Sequence, residues 1–541
     1  MNISKSEFQF SISPNLLKNV RVFIEKNVLS FVVFALVITS LLAFWNYYQS
    51  GLGLSYNDAR SHLDIGRRVV EGLKPGLAQL GSVWLPLPHL LMVPTIWLDF
   101  MWHSGLSGAL VSMISFVATG VLVFKFLEKI GVGILGRVFG VFVFAANLNI
   151  LYLQSTAMTE LLLLATMTAG VYYFLLWLQE DNIVNLVKSA FWIMLSTLVR
   201  YDGWFLFAFV TGLILLWVLY KKGYRTAEGT VVMFCTLGGL GIILWLLWNL
   251  LIFGDPLYFA FGPYSAYAQQ KELEGAGDLI TKHNWFLSWK FYFYALSYNS
   301  GAFSVFMGLA GALTIWISRK IKLDIKVAAL ALMAPLLFNV LALYLGHSVL
   351  FIQGLSGDSW FNVRYGIMMM PSIAIFMGFL ISRAKQFKYV LIGLFFFVTF
   401  FQFASSDAVT IDDARVGSSQ KNVSEVSGWL ALNTKSEPGF ILISAASHDA
   451  IIFSSGLPMS KFIHEGTGAY WQEATIMPDK WAKWIIMRSY SESDSTWRLV
   501  SRTPGFERYE LVETYPFADI YKLKDEFIPS VITQPTIGKQ K

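Results

Sequence analysis

The sequence predicts an α-helical polytopic membrane protein of about eleven transmembrane helices with a C-terminal exoplasmic α/β domain. Three observations carry this. Of 541 residues, 55% are hydrophobic and only 14% are charged, against roughly 25% charged in a soluble domain, and the mean hydropathy is +0.55. The missing charge falls in blocks of about 20 apolar residues, the length a helix needs to cross a hydrocarbon core of about 30 Å. From Ala404 onward the composition turns polar and strand-like runs alternate with helix-like ones. Lys and Arg lie mainly in short loops between apolar blocks, so the net charge of +6 reads as topology and not as a nucleic-acid footprint. The single cysteine, Cys235, excludes an internal disulfide and cysteine-rich metal or redox motifs.

The elements follow in order. Residues 1–27 carry Lys18, Arg21 and Lys26 and are predicted to be cytoplasmic. The first span, residues 28–48, lacks a small-residue cleavage site and reads as retained. A polar stretch with Asp58, Arg60, His62, Asp64, Arg67, Arg68 and Glu71 then falls outside. Residues 84–102 are apolar but broken by Pro86, Pro88 and Pro94, and counting them as a span would put Lys125, Lys129 and Arg137 outside. They are read as interfacial or re-entrant, within a first external loop of residues 50–104. Spans over 106–124, 138–153, 161–178, 190–198, 204–220 and 231–253 complete a seven-span module, residues 28–253. Residues 254–403 hold an external loop, 254–290, and four further spans: 291–317, one ending at 351, 365–381 and 389–403. Every basic cluster is then inside. Residues 404–527 are expected to form a soluble outer domain, with strands near 439–444 and 484–487 and a helix near 423–432. Residues 528–541 are expected to be disordered.

Charged residues that topology does not require are functional candidates. The run Tyr56-Asn57-Asp58-Ala59-Arg60-Ser61-His62-Leu63 places Asp58 and His62 on one helical face, with Ser55 or Asn57 as cap. A carboxylate beside an imidazole suits proton abstraction from a hydroxyl; the plainer role of Asp58 is to stabilise a helix N-terminus. Glu160, in Gln154-Ser-Thr-Ala-Met-Thr-Glu160, heads a descending helix, where it is a dipole partner or a ligand for substrate hydroxyls. In Leu198-Val-Arg200-Tyr-Asp202-Gly-Trp204, Arg200 either pairs with Asp202 or meets a lipid phosphate. Trp360-Phe-Asn362-Val-Arg364-Tyr365-Gly366 again joins an arginine to aromatics, with a snorkelling arginine as the alternative. His89, Tyr264 and His347 lie near the outer surface. Ser447-His448-Asp449 and His464-Glu465 lack a nucleophile elbow or a zinc motif and are read as fold residues.

This order of features resembles the GT-C superfamily of integral membrane glycosyltransferases, in particular the branch of dolichyl-phosphate-mannose protein mannosyltransferases and bacterial aminoarabinose transferase. The resemblance covers residues 20–400 and rests on the long first external loop with Asp58, on Trp84-Leu-Pro-Leu-Pro-His89 in the place of a second interfacial helix, on Glu160, and on the arginine-bearing external turns. It implies transfer of a sugar, with inversion, from a polyprenyl (dolichyl or undecaprenyl) phosphate donor to an acceptor hydroxyl at the outer face of a cell membrane. Asp58 would be catalytic. His62, Trp84, His89, Glu160, Tyr201, Asp202 and Tyr264 would bind substrate, and Arg200 and Arg364 the donor phosphate. The pattern points to no particular cofactor, and a divalent cation on Asp58 and Glu160 is left open. The implied partners are the donor, a glycan, lipid or protein acceptor, and membrane lipids, with no nucleic acid. The sequence has Asn57-Asp58 where protein mannosyltransferases carry an acidic pair, and no Trp-Trp-Asp motif in the tail, which argues against en bloc transfer to asparagine. A transporter or flippase of a lipid-linked glycan precursor is the alternative, although it calls for midplane charges that the spans largely lack.

Overall fold

The computed structural model describes residues 14–417 and 422–536, apart from 264, 276 and 278. Helix α1 (Pro14–Gln49) is followed by α2 (Asn57–Val70), α3 (Leu87–Ile96) and α4 (Asp99–His103) of the first loop. Then come α5 (Leu106–Lys129), α6 (Ile134–Ala145), α7 (Leu148–Leu153), α8 (Glu160–Glu180), α9 (Ile183–Thr197), α10 (Asp202–Lys222), α11 (Tyr224–Gly238) and α12 (Leu240–Phe253). The second half of the membrane region holds α13 (Tyr258–Phe261), α14 (Ala266–Gly275), α15 (Trp285–Ser300), α16 (Ala302–Ile317), α17 (Leu323–Ala331), α18 (Ala334–Tyr344), a 3-10 turn (Val363–Met369), α19 (Met370–Arg383), α20 (Lys388–Ser405) and α21 (Val409–Val416).

Among the described residues, seven helices or helix runs are long and apolar enough to cross a membrane, and two bent pairs bring the number to nine. The chain is a multi-pass membrane protein. The other two of the eleven expected spans fall on α6, of 12 residues, and α9, of 15, which at about 1.5 Å per residue are shorter than the hydrocarbon core. Helix α6 stops where Asn147 caps α7, its side chain accepting from the Ile150 amide at 2.9 Å. The expected span over 291–317 is one of the two bent pairs: α15 and α16 meet at 108°. The break is at Gly301, whose φ of 77° is a left-handed conformation that only glycine adopts without strain.

The burial of these helices follows their composition. Between Glu160 and Gln179 α8 has only apolar residues, Thr, Gly and aromatics, and it runs through the centre of the bundle. By contrast α1 and α20 turn Phe34, Leu42, Phe397 and Phe400 outward, as helices solvated by lipid do. Small residues allow close crossings: a Cβ on Gly136 of α6 would stand 2.6 Å from the Gly378 carbonyl oxygen of α19, and the reverse holds for Gly378.

After α22 (Ser424–Thr434) the tail forms β1 (Phe440–Ile443), α23 (Ala445–Ser455), β2 (Phe462–Ile463), α24 (Ala469–Ile476), α25 (Pro478–Trp481), β3 (Ala482–Met487), α26 (Ser495–Val500), β4 (Tyr509–Thr514) and β5 (Asp519–Leu523). The sheet order is β2-β1-β3-β5-β4, with β2, β1 and β3 parallel and β5 and β4 antiparallel. Every residue of β1 and β3 is buried, which is why β1 and residues 484–487 of β3 read as unbroken apolar runs. Ile441, Ile443 and Ile486 face a core continuous with the membrane module, while Phe440, Leu442 and Ile485 pack under Tyr470 and Trp481 on the other face. In the described part of the stretch expected to be disordered, a 3-10 turn spans Asp525–Ser530 and the Ile532 amide donates to the Lys480 carbonyl at 2.8 Å. Residues 537–541 lie outside the described part.

Candidate active site

Four segments bring their polar ends to one place: the N-terminus of α2, the N-terminus of α8, the turn between α9 and α10, and the 3-10 turn Val363–Met369. Local chemistry fixes the last of these. Asn362, with φ of 54°, takes the left-handed conformation that asparagine tolerates, and its side-chain amide donates to the Val349 carbonyl at 3.1 Å. Asn299 of α15 donates to the Val363 carbonyl at 2.7 Å, while its own carbonyl accepts from Asn147 and Asn149 at 2.7 and 3.0 Å. Gly366 lets the turn lie on α15, since a Cβ there would stand 2.2 Å from the Ala295 oxygen. Arg364 is thereby delivered into the bundle with only 4% of its surface exposed.

The Arg364 guanidinium is the hub. Its Nη2 donates to Asp58 Oδ2 at 2.5 Å and its Nε to Glu160 Oε1 at 3.2 Å, and Nη1 stands 3.8 Å from Asp413 Oδ2. Arg200 joins the same cluster, its Nη1 3.2 Å from Glu160 Oε1 and its Nε 3.3 Å from Asp202 Oδ2. Both guanidinia lie against the Tyr365 ring, at 5.0 Å for Arg200 and 5.6 Å for Arg364, and Arg364 also lies 5.0 Å from the centre of the Tyr56 ring. Glu160 and Asp413 are fully buried, Asp202 nearly so, and Asp58 is half-buried. Two polar atoms in this cluster, Glu160 Oε2 and Arg364 Nη1, are buried without a hydrogen-bond partner among the described residues.

Of the expected substrate-binding residues, His62, Trp84 and His89 gather about one turn along α2 from Asp58. His62 Nδ1 and His89 Nε2 are 2.8 Å apart, and the His62 ring lies 4.4 Å from that of Trp84. Burial, with help from nearby Arg200 and Arg364, lowers the His62 pKa to about 3, and burial takes His89 well below the usual range, so the pair is neutral and shares one hydrogen bond. The expected pairing of His62 with Asp58 is therefore corrected: the imidazole is held by His89 and the carboxylate by Arg364. The expected cap is corrected as well, because Tyr56 occupies the N-cap of α2 and no side chain bonds there. Tyr201 donates to the Val83 carbonyl at 3.0 Å, tying the α9–α10 turn to the segment before Trp84. Tyr264 lies outside the described residues.

Asp413 and Tyr56 are the site residues that sequence reasoning missed. Asp413 read as the polar opening of a soluble tail, yet α21 turns back onto the membrane module, where the Thr410 amide and hydroxyl donate to Asn149 Oδ1 at 3.0 and 2.8 Å. The tail's Ser447-His448-Asp449 is not a catalytic set: His448 pairs with Asp494 at 2.7 Å, and Asp449 accepts from Ser61 of α2. Between Asp58 and Glu160, where a divalent cation is the open alternative, the Arg364 guanidinium pairs with both carboxylates. Among the described residues no three His, Cys, Asp or Glu form a group that could hold a metal.

No protein-family model and no curated protein matches the chain by sequence. Solved structures do match it. ArnT from Cupriavidus metallidurans, bound to undecaprenyl phosphate, superposes with a TM-score of 0.52 at 11% identity, covering 90% of this chain and 98% of that one. The oligosaccharyltransferase AglB from Archaeoglobus fulgidus, in complex with an inhibitory peptide and a dolichol-phosphate, gives a TM-score of 0.51 at 11% identity over 86% of this chain and 69% of that one. At such identities the likeness shows the fold alone: this chain shares the overall fold of these two structures.

Proposed function

We propose that the protein is a membrane glycosyltransferase that moves a sugar from a polyprenyl phosphate to an acceptor hydroxyl at the outer face of a cell membrane. One observation carries the reading: Asp58, the only half-exposed acid of the cluster, is paired with an arginine that also holds the deeper Glu160. In this reading the donor phosphate takes a carboxylate's place on the guanidinium fork, which binds both anions in the same bidentate way. Asp58 is thereby released toward the acceptor. The acceptor oxygen attacks the anomeric carbon from the face opposite the phosphate, Asp58 takes its proton, and the C–O bond to phosphate breaks to leave a polyprenyl phosphate monoester. Negative charge on that phosphate grows as the bond breaks. Arg364 and Arg200 therefore stabilise the transition state more than the ground state, which is what lowers a barrier. A positioned general base contributes roughly 10²–10⁴-fold. Glu160 Oε2 and Arg364 Nη1 would gain the hydrogen bonds they lack from sugar hydroxyls and phosphate.

Mass spectrometry of the lipid that co-purifies with the protein tests this reading. A polyprenyl phosphate or its glycosylated form is expected. A lipid-linked diphosphate oligosaccharide in its place would favour a flippase of lipid-linked precursors.

A further inference from the structure

Asp413 sits outside the bundle in sequence and inside the site in space. It belongs to α21, which follows the last span, and it is completely buried. It acts on Arg364 in two ways. Its Oδ2 stands 3.8 Å from Arg364 Nη1, the one nitrogen of that fork with no hydrogen bond, and the same oxygen accepts the Tyr56 hydroxyl at 3.1 Å. Tyr56 in turn carries the ring against which the guanidinium lies, 5.0 Å from its centre. A planar fork is oriented only when its edges and its face are both defined. Asp58 and Glu160 define two edges; Asp413 faces the third and anchors the ring on the face. The seat of α21 is itself fixed, through Thr410, to Asn149. The same Asn149 donates to the Asn299 carbonyl, and Asn299 holds the Val363 carbonyl next to Arg364. Asp413 and Arg364 thus stand on one polar frame, reached from before α19 and from after α20.

We infer that Asp413 is a positioning residue for the donor phosphate site: it sets the orientation of Arg364, directly and through Tyr56, without touching the substrate. The inference rests on the glycosyltransferase reading for its consequence, and on the geometry for the coupling itself. A consequence is that the helix after the last span completes the membrane site.

The test is a double-variant cycle in the full-length protein, with undecaprenyl phosphate in detergent as the probe and binding as the readout. Asp413→Asn is expected to weaken binding about tenfold, and Asp413→Glu to recover part of the loss. In an Arg364→Gln background, Asp413→Asn is expected to cost nothing further, because the group it orients is gone. Tyr56→Phe, which removes only the anchored hydroxyl, is expected to repeat the pattern at smaller size and serves where Asp413→Asn does not fold. Wild-type binding by Asp413→Asn, or losses that multiply in the double variant, would overturn the inference. If the wild type does not bind the probe at all, the functional reading fails. The coupling is then read from thermal melting, where non-additive losses for Asp413→Asn and Arg364→Gln support it and additive losses overturn it.

Discussion

Asp58 and Arg364 form a 2.5 Å ion pair between residues 306 positions apart, and the same guanidinium reaches Glu160 at 3.2 Å. This pair joins the first external loop to the turn before α19, so the candidate base and the candidate phosphate ligand are one unit. Its chemistry has consequences for stability as well as for activity.

Arg364→Lys is expected to behave as a severe change. An ammonium is a point charge and cannot hold separate acids along the edges of a planar fork. Leaving buried acids without a partner costs about 3 kcal/mol or more. Thermal melting in detergent is expected to drop by several degrees, and sugar transfer by at least about a hundredfold.

Gly366→Ala tests the seat of that arginine without removing a charge. The new methyl group meets the Ala295 backbone oxygen, which cannot yield as a side chain would. A loss of about 2 kcal/mol in stability is expected, with weakened binding of polyprenyl phosphate, whereas the same change at Gly212, which has open space around it, is expected to leave both unchanged.

The buried histidines predict the direction of the acid response. His62 and His464 both have pKa values lowered to about 3, chiefly by burial, against about 6.5 in an unfolded chain. The folded state therefore binds fewer protons than the unfolded one between these values. The stability from keeping each histidine neutral is complete above pH 6.5 and is lost as pH falls toward 3, by about 1.4 kcal/mol per pH unit for each group. Melting temperature is expected to fall between pH 6.5 and 4, and less steeply in His62→Gln.

Asp494 holds the tail domain together rather than the site. It pairs with His448, accepts the Arg488 amide at 2.6 Å, and caps α26 through the Thr496 and Trp497 amides at 2.8 and 3.2 Å. Asp494→Ala is expected to cost about 3 kcal/mol or more, from lost capping and a buried histidine left unpaired, and to expose the tail to limited proteolysis.

Much of the bundle was legible because lipid imposes a simple demand. Charge-free runs identified α1, α5, α8 and α10, with basic residues before the first and after α5 and α10, and the prolines of residues 84–102 separated α3 and α4 from the spans. The bend between α15 and α16 was missed although Asn299-Ser300-Gly301, a polar pair before a glycine, interrupts that apolar run. The site was legible as a set of residues and not as a set of pairs. Asp58, Glu160, Arg200, Asp202 and Arg364 stood out because a membrane protein has little reason to carry charge at those turns. Which acid meets which arginine depends on packing across hundreds of residues, and local spacing suggested His62 for Asp58 when tertiary contacts supply Arg364. Asp413 was hidden for the same reason: in a polar segment an aspartate carries no signal, and only the docking of α21 gives it a role.

The most direct measurement is sugar transfer from a panel of radiolabelled polyprenyl phosphate sugars by wild-type protein and Asp58→Asn in membranes, with binding of undecaprenyl phosphate measured in parallel. The wild type is expected to consume one of the donors and release polyprenyl phosphate, while Asp58→Asn binds the lipid yet transfers at least about a hundredfold more slowly. Full-rate transfer by Asp58→Asn would contradict the assignment of Asp58 as the base.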